Sequence, residues 1–215
     1  MTQFQPPKGM QDFYPAEESI KQWLFERMRG AAKAFAFQEV DLPVVESLGL
    51  LTAKSGEEIK QQIFVLEQRG NEALALRPEF TPGFARMFVA KQRELPKPVK
   101  WFTIGKAWRY EAPQKGRSRE FFQLNAELYG SDKPEADAEI INLALTVMKN
   151  FGLKENDYVV RLNNRKLLGG IIADIAPEDK IEAAMRLIDK SLKITPQEFE
   201  TEAKKEGIEA KELLA

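Results

Sequence analysis

The sequence predicts an α+β fold, with an antiparallel strand pair at its centre, helices flanking it and a small helical segment at the C-terminal end. Three observations carry this. Residues 108–130, WRYEAPQKGRSREFFQLNAELYG, read as a strand, a basic loop and a second strand. Apolar residues recur at three- and four-residue steps around 20–35 and 134–151, the period of helices packed on one side. From Arg165 the texture changes to Lys, Glu and Ala with Phe199 as the one aromatic, so a boundary is expected near 163, separating 1–163 from 164–215.

Residues 2–15 are loop-like, punctuated by Pro6, Pro7, Gly9 and Pro15. A helix follows on the stripe Ile20, Trp23, Leu24, Arg27, Met28, Ala31 and Phe35. It leads into an alternating strand, 37–43, stopped by Pro43. Such a helix and proline-ended strand are ordinary fold plumbing or the makings of a two-fold dimer contact. Leu48 to Lys54 reads as a short helix. Ile63 to Gln68 and Ala73 to Arg77 read as strands of a hairpin turning through 69–72. Thr81 is placed to cap a helix with Pro82 at its first position, continued by Phe84, Met87, Phe88 and Lys91. That leaves Glu79 on a stiff turn beside Pro78. After the Pro96-Lys97-Pro98 break, Val99 to Ile104 is a strand running through Gly105 into the central hairpin. The helix from Pro134 to Phe151 is expected to turn Ile141, Ala144, Leu145, Met148 and Phe151 inward and stop at Gly152. Tyr158 to Leu162 reads as one more strand. Segments 165–175, 178–191 and 196–215 read as short helices, started in part by Pro177 and Thr195-Pro196. Their spaced acids are read as solvated faces.

Composition narrows the chemistry. The 215 residues carry 32 basic and 33 acidic side chains, a net charge of −1, so a polyanion needs a local cluster of cations. No Cys is present, which excludes disulfides, thiolate metal sites and Cys nucleophiles. No His is present either, which removes the commonest general base and metal ligand. Any chemistry must therefore run on carboxylates, Arg, Lys and Mg2+. The N-terminus lacks a signal-peptide core and no apolar run approaches ~18 residues, so a soluble, cytoplasmic protein is expected.

Strand parity splits the hairpin's second strand into an apolar face, Phe122, Leu124, Ala126 and Leu128, and a polar one, Phe121, Gln123, Asn125, Glu127 and Tyr129. The first strand sets Arg109 and Glu111 together, opposite Trp108 and Tyr110. Lys115, Arg117 and Arg119 lie in the loop around Gly116. A solvent-washed hairpin is the bland reading. A face of Arg, Glu and Gln between aromatic ends instead suits a ligand floor. Arg forms bidentate bonds to phosphate, Phe121 is placed to stack on a base, and Glu79, Gln123 and Glu127 suit a cationic ligand such as an ammonium group. Joining ATP to a carboxylate needs no strong base, because the nucleophile is already ionised; it needs positioning and charge neutralisation. Neither a Walker-type loop nor a GxGxxG fingerprint is present.

These stretches resemble class II aminoacyl-tRNA synthetases, specifically the histidyl-tRNA synthetase family. PPKGMQDFYP is similar to that family's N-terminal signature and the helix into EVDLPVVE to its motif 1, with Pro43 as the interface proline. ALRPEFT resembles the histidine-binding segment, and residues 108–130 resemble motif 2. The resemblance covers about residues 4–165. It implies a class II antiparallel sheet flanked by helices, with a helical insertion starting near 165. It implies Arg109 on the ATP α-phosphate, Glu111 near the adenine side, Arg117 on the outer phosphates and Phe121 stacked on adenine. Glu79, Thr81 and Gln123 would hold the histidine α-amino group, Glu127 would reach its imidazole, and Gln114 and Arg119 would meet the tRNA(His) acceptor end. Mg2+ with the nucleotide and a homodimer through the region around Pro43 are implied as well.

The sequence also departs from that pattern. Ala112 stands where the family often has Arg, Ser118 where it usually has Tyr, and Phe122 where His is common. The first two bear on the tRNA end and not on ATP. Nothing in 166–215 resembles the family's second histidine segment with its catalytic Arg, or motif 3 with its ATP-binding Arg, or an anticodon-binding domain. The expectation is the first part of a synthetase, ending inside the insertion and impaired alone. The alternatives are a non-catalytic relative that regulates ATP phosphoribosyltransferase, which has no use for the loop QKGRSREF, and an RNA-binding fragment.

Overall fold

The computed structural model describes residues 4–53, 57–174, 176–191 and 194–213. They divide into two compact units, Met1–Asp157 and Tyr158–Ala215; the division falls a few residues before the boundary expected near 163.

The first unit is built on two ten-residue strands, β4 (Val99–Trp108) and β5 (Glu120–Tyr129), antiparallel in unbroken register from Val99 opposite Tyr129 to Trp108 opposite Glu120. The strand expected at 99–104 and the start of the hairpin are thus one continuous element. Arg109 to Glu111 lie beyond its end. A third strand, β1 (Gln38–Glu39), joins β4 in parallel, so the sheet order is β1-β4-β5 and the small sheet is mixed. The strand expected over 37–43 shrinks to these residues because the Asp41 carboxylate accepts the Leu42 amide at 2.9 Å, a local bond that competes with the ladder.

Helix α1 (Pro15–Ala34) and helix α5 (Pro134–Asn150) cover one face of this sheet. There Ala31, Ala32, Phe37, Phe102, Leu143 and Val147 form a core that Leu124, Ala126 and Leu128 of β5 pack against. Parity therefore assigns the apolar face of β5 correctly. The helix faces are less well assigned. In α5 the buried positions are Leu143 and Val147, whereas Met148, expected inside, is exposed. In α1 the buried positions are Phe25, Ala31 and Ala32, while Ile20 and Trp23 stand exposed.

The opposite face meets α4 (Thr81–Lys91), whose Phe84 is fully buried with Phe80, Leu42, Trp101 and Ala107. A second sheet pairs β2 (Val45–Ser47) antiparallel with β3 (Leu74–Leu76). The hairpin expected between 63–68 and 73–77 is reduced to one bridge, Val65 opposite Ala75, because β3 takes β2 as its ladder partner. Helix α2 (Leu48–Thr52) is capped by the Ser47 hydroxyl, and α3 (Glu57–Gln62) was not anticipated. Lys54, read as the end of α2, lies outside the described residues.

In the second unit, residues 158–164 form no strand, contrary to expectation, and Val159 and Leu162 are exposed. An extended run without a ladder partner is not a strand. Helices α6 (Arg165–Ala173), α7 (Ile181–Ser191), α8 (Pro196–Lys205) and α9 (Ala210–Leu213) follow. Ile172, Ala184, Leu187, Phe199 and Ala203 give them a core of their own. Thr195 caps α8 in a full capping box with Glu198. No helix among the described residues is long and apolar enough to cross a membrane.

Candidate active site

The polar face of β5 is a continuous hydrogen-bonded row. Gln123 Nε2 donates to Asn125 Oδ1 at 3.3 Å, and Asn125 Nδ2 donates to Glu127 Oε1 at 2.9 Å. The Thr81 hydroxyl, from the start of α4, donates to the same Glu127 oxygen at 2.8 Å. Thr81 is therefore not the cap that its place before Pro82 suggests: Phe80 occupies the cap position, and no side chain caps the helix there. At the end of the row Tyr129 stacks on Phe88 at 4.5 Å between centroids. Burial, with the negative charge of Glu127 adding, pushes the Tyr129 phenol well above its ordinary value, so it stays neutral.

Glu79 reaches the same neighbourhood from the turn before α4. Among the described residues its half-buried carboxylate carries no hydrogen bond or ion pair. With Thr81 it borders an apolar groove of 620 Å³ formed largely by Leu50, Pro82, Ala85 and Val89. The turn is held by Arg77, which the sequence places at the end of the 73–77 strand. Arg77 is 6% exposed and donates to the carbonyls of Leu42 at 2.7 Å, Pro43 at 3.2 Å and Lys106 at 2.9 Å. Its guanidinium lies 4.2 Å from the Phe80 ring centroid. Burial depresses its pKa, while Asp41 and Glu46 oppose that. A signal existed in the sequence, since Gly105 leaves the space: a Cβ there would sit 2.9 Å from Arg77 Nη2.

At the other end of β5 the guanidinium of Arg109 lies over the Phe121 ring at 5.3 Å, and its Nε donates to the Pro78 carbonyl at 3.0 Å. That bond ties the predicted phosphate-binding arginine to the segment bearing Glu79. Arg117 pairs with Glu111 at 3.2 Å, the arginine largely exposed and the acid mostly covered. Gln114 and Arg117 close a tight turn around Gly116, whose φ is +78°.

Arg119 lies in the loop, as expected, and is anchored there. It is half-buried, stacks on Tyr110 at 3.9 Å and donates to the Glu111 carbonyl at 3.0 Å. Gly9 explains why, because its carbonyl accepts the amides of Arg119 at 2.9 Å and Glu120 at 3.1 Å. Below the loop, Glu120 accepts Trp108 Nε1 at 3.0 Å and pairs with Lys106 at 2.8 Å, fixing the mouth of the hairpin. The chemistry on offer is thus Arg109 over the Phe121 ring and Arg119 over the Tyr110 ring at one end of a strand, and a set of acceptors at the other.

The family model described as histidyl-tRNA synthetase matches residues 9–206. The chain is 40% identical over 192 residues to a histidine–tRNA ligase of Haloarcula marismortui, covering 89% of this chain and 44% of that protein. It is 38% identical over 204 residues to a chloroplastic/mitochondrial histidine–tRNA ligase of Arabidopsis thaliana, covering 94% and 42%. Among solved structures, a histidyl-tRNA synthetase from Nostoc sp. PCC 7120 superposes with a TM-score of 0.79 at 26% identity, covering 100% of this chain and 48% of that one. A Bacillus halodurans protein described as an ATP phosphoribosyltransferase regulatory subunit/histidyl-tRNA synthetase shares the fold, with a TM-score of 0.81 at 22% identity over 100% and 54%. The chain spans less than half the length of the curated relatives it matches. On this match the chain belongs to the histidyl-tRNA synthetase family.

Proposed function

We propose that the first unit holds the ATP- and histidine-binding surfaces of a class II histidine–tRNA ligase. One observation carries this reading: residues suited to each ligand share a single face of β5, and Arg109 is tied to the turn bearing Glu79. In this reading Arg109 neutralises the α-phosphate, Arg117 takes the outer phosphates, Glu111 sits by the adenine and Phe121 stacks on it. Glu79, Thr81 and Gln123 take the α-amino group, and Glu127 the imidazole. The ionised carboxylate of histidine attacks the α-phosphorus, a carboxylate oxygen–phosphorus bond forms, and the bond to the β-phosphate oxygen breaks, releasing pyrophosphate. No side chain need remove a proton, which suits a chain without His or Cys. Among the described residues no group of three acidic side chains could cage a metal, so Mg2+ would arrive on the triphosphate and be shared with it.

Transfer to tRNA(His), with Gln114 and Arg119 at the acceptor end, a homodimer through the region around Pro43 and a cytoplasmic setting complete the proposal. Residues 166–215 match neither the second histidine segment nor motif 3. Loss of one transition-state donor typically costs about 10²–10³ in rate, so this chain alone is expected to bind both ligands and activate histidine poorly. Calorimetry on the full chain with histidine and a non-hydrolysable ATP analogue tests the reading. Arg109→Ala should abolish nucleotide binding, and Glu127→Ala should weaken histidine binding by at least about tenfold. Failure of both ligands to bind overturns the assignment, and brisk histidine-dependent ATP–pyrophosphate exchange overturns the claim of impairment.

The likeness to the Bacillus halodurans protein favours a second reading, a regulatory subunit that senses histidine. The retained loop with Lys115, Arg117 and Arg119 weighs against it. Histidine binding without nucleotide binding, together with co-purification of a phosphoribosyltransferase, would select it.

A further inference from the structure

Asn125 lies between two residues proposed to touch histidine, and neither its spacing nor the resemblance gives it a role. Its side chain is half-buried and both ends are engaged: Oδ1 accepts from Gln123 at 3.3 Å and Nδ2 donates to Glu127 Oε1 at 2.9 Å. Glu127 Oε1 also receives the Thr81 hydroxyl at 2.8 Å, so two donors from two elements converge on one oxygen. A carboxylate held by two donors on one oxygen loses rotational freedom, so the acceptor capacity it keeps is presented from a restricted set of orientations. The amides run head to tail. The Gln123 nitrogen is turned toward Asn125 and the Asn125 nitrogen toward Glu127, so the row ends on the Glu127 carboxylate, which also faces the Tyr129 hydroxyl.

We infer that Asn125 is a positioning residue that orients Glu127 and makes this stretch of the site an acceptor for a ligand nitrogen carrying a proton. The inference rests on the histidine reading above and adds to it a determinant of specificity. The row selects an N–H-bearing heterocycle or ammonium group and disfavours a ring whose nitrogen is blocked.

The test is calorimetry of the full chain against L-histidine and its two ring-N-methylated derivatives, for the wild type, Asn125→Ala, Asn125→Asp and Glu127→Ala. In the wild type at least one methylated ring should bind about tenfold more weakly than histidine, the loss of one hydrogen bond to a charged group. In Asn125→Ala and Asn125→Asp that ratio should fall to within about threefold, as in Glu127→Ala, because the contact that methylation blocks is already misaligned. A purely structural role would scale both ligands together and leave the ratio intact. Histidine binding with the wild-type ratio kept in both Asn125 variants overturns the inference and spares the function. No histidine binding by the wild type overturns the histidine part of the function and the inference with it.

Discussion

Replacing Arg77 by Met is expected to be the costliest single change in the first unit that touches no proposed ligand. The guanidinium is buried and serves three carbonyls from two separate segments, those of the neighbours Leu42 and Pro43 and that of Lys106. Met fills much of the volume and supplies no donor. Each carbonyl left without its partner costs about 1 kcal/mol net, and the lost stacking on Phe80 adds about 1 kcal/mol. Relief from burying a cation gives part of this back, leaving about 3 kcal/mol. For a unit of this size that lowers Tm by about 6–12 °C. The assay is thermal unfolding followed by tryptophan fluorescence, since Trp23, Trp101 and Trp108 all lie in the first unit and report it alone. Arg77→Lys should recover less than half, because one ammonium cannot reproduce the planar fork. Gly105→Ala should expel the same guanidinium from the other side, so its effect and that of Arg77→Met should add to less than their sum. A Tm shift below about 2 °C for Arg77→Met, or full recovery with Lys, would refute the reasoning.

Gly9→Ala places a Cβ at φ +81°, 2.9 Å from Arg119 Cγ and 3.1 Å from the Arg119 amide nitrogen. It should cost at least about 1–2 kcal/mol and speed tryptic cleavage at Lys115 and Arg117; an unchanged cleavage rate would show that Gly9 does not anchor the loop. In the second unit, the Thr195 amide and then its hydroxyl hold the Glu198 carboxyl below its ordinary value of 4.5. A carboxyl depressed in the folded state stabilises above the unfolded value and ceases to do so as pH falls through the folded one. The chemical shifts of residues 195–199 should accordingly report fraying of the first turn of α8 on acidification, and Glu198→Gln should remove that pH dependence while keeping an acceptor. Thr81→Val should leave Tm within about 2 °C yet weaken histidine binding about tenfold. A loss of about 1 kcal/mol in stability with unchanged affinity would restore Thr81 to a capping role.

Much of the fold was legible where one periodicity had one interpretation. The β5 alternation put Leu124, Ala126 and Leu128 on the core side, and the sheet agrees. Thr195-Pro196 announced a helix start and the capping box is there. Legibility failed where the pattern was degenerate or the partner distant. Helix α5 carries apolar residues around most of its circumference, so only packing on β5 and α1 selects Leu143 and Val147 over Met148. β2 is three residues long, and its place is set by β3, more than twenty residues away. Residues 158–162 have strand composition, but composition cannot supply a ladder, and without one they stay open.

In the site, the types of residue were legible and their connections were not. Thr81 before Pro82 satisfies a local capping rule, and that rule loses to a bond with Glu127, 46 positions along the chain. Arg119 reads as a loop cation free to meet a polyanion, yet Gly9 and Tyr110 hold it to the body of the unit. Asn125 and Arg77 were visible in the sequence without a role for one reason: each acts by satisfying another group, and no spacing rule describes that. Buried acceptors must be paired. The carbonyls of Leu42, Pro43 and Lys106 therefore required a donor before any ligand was considered, and the cation that donates to all three sits one residue before the proline that stiffens the Glu79 turn. The geometry of the Glu79 turn follows from that structural demand, so a substitution at Arg77 should be felt at Glu79 although Arg77 touches no proposed ligand.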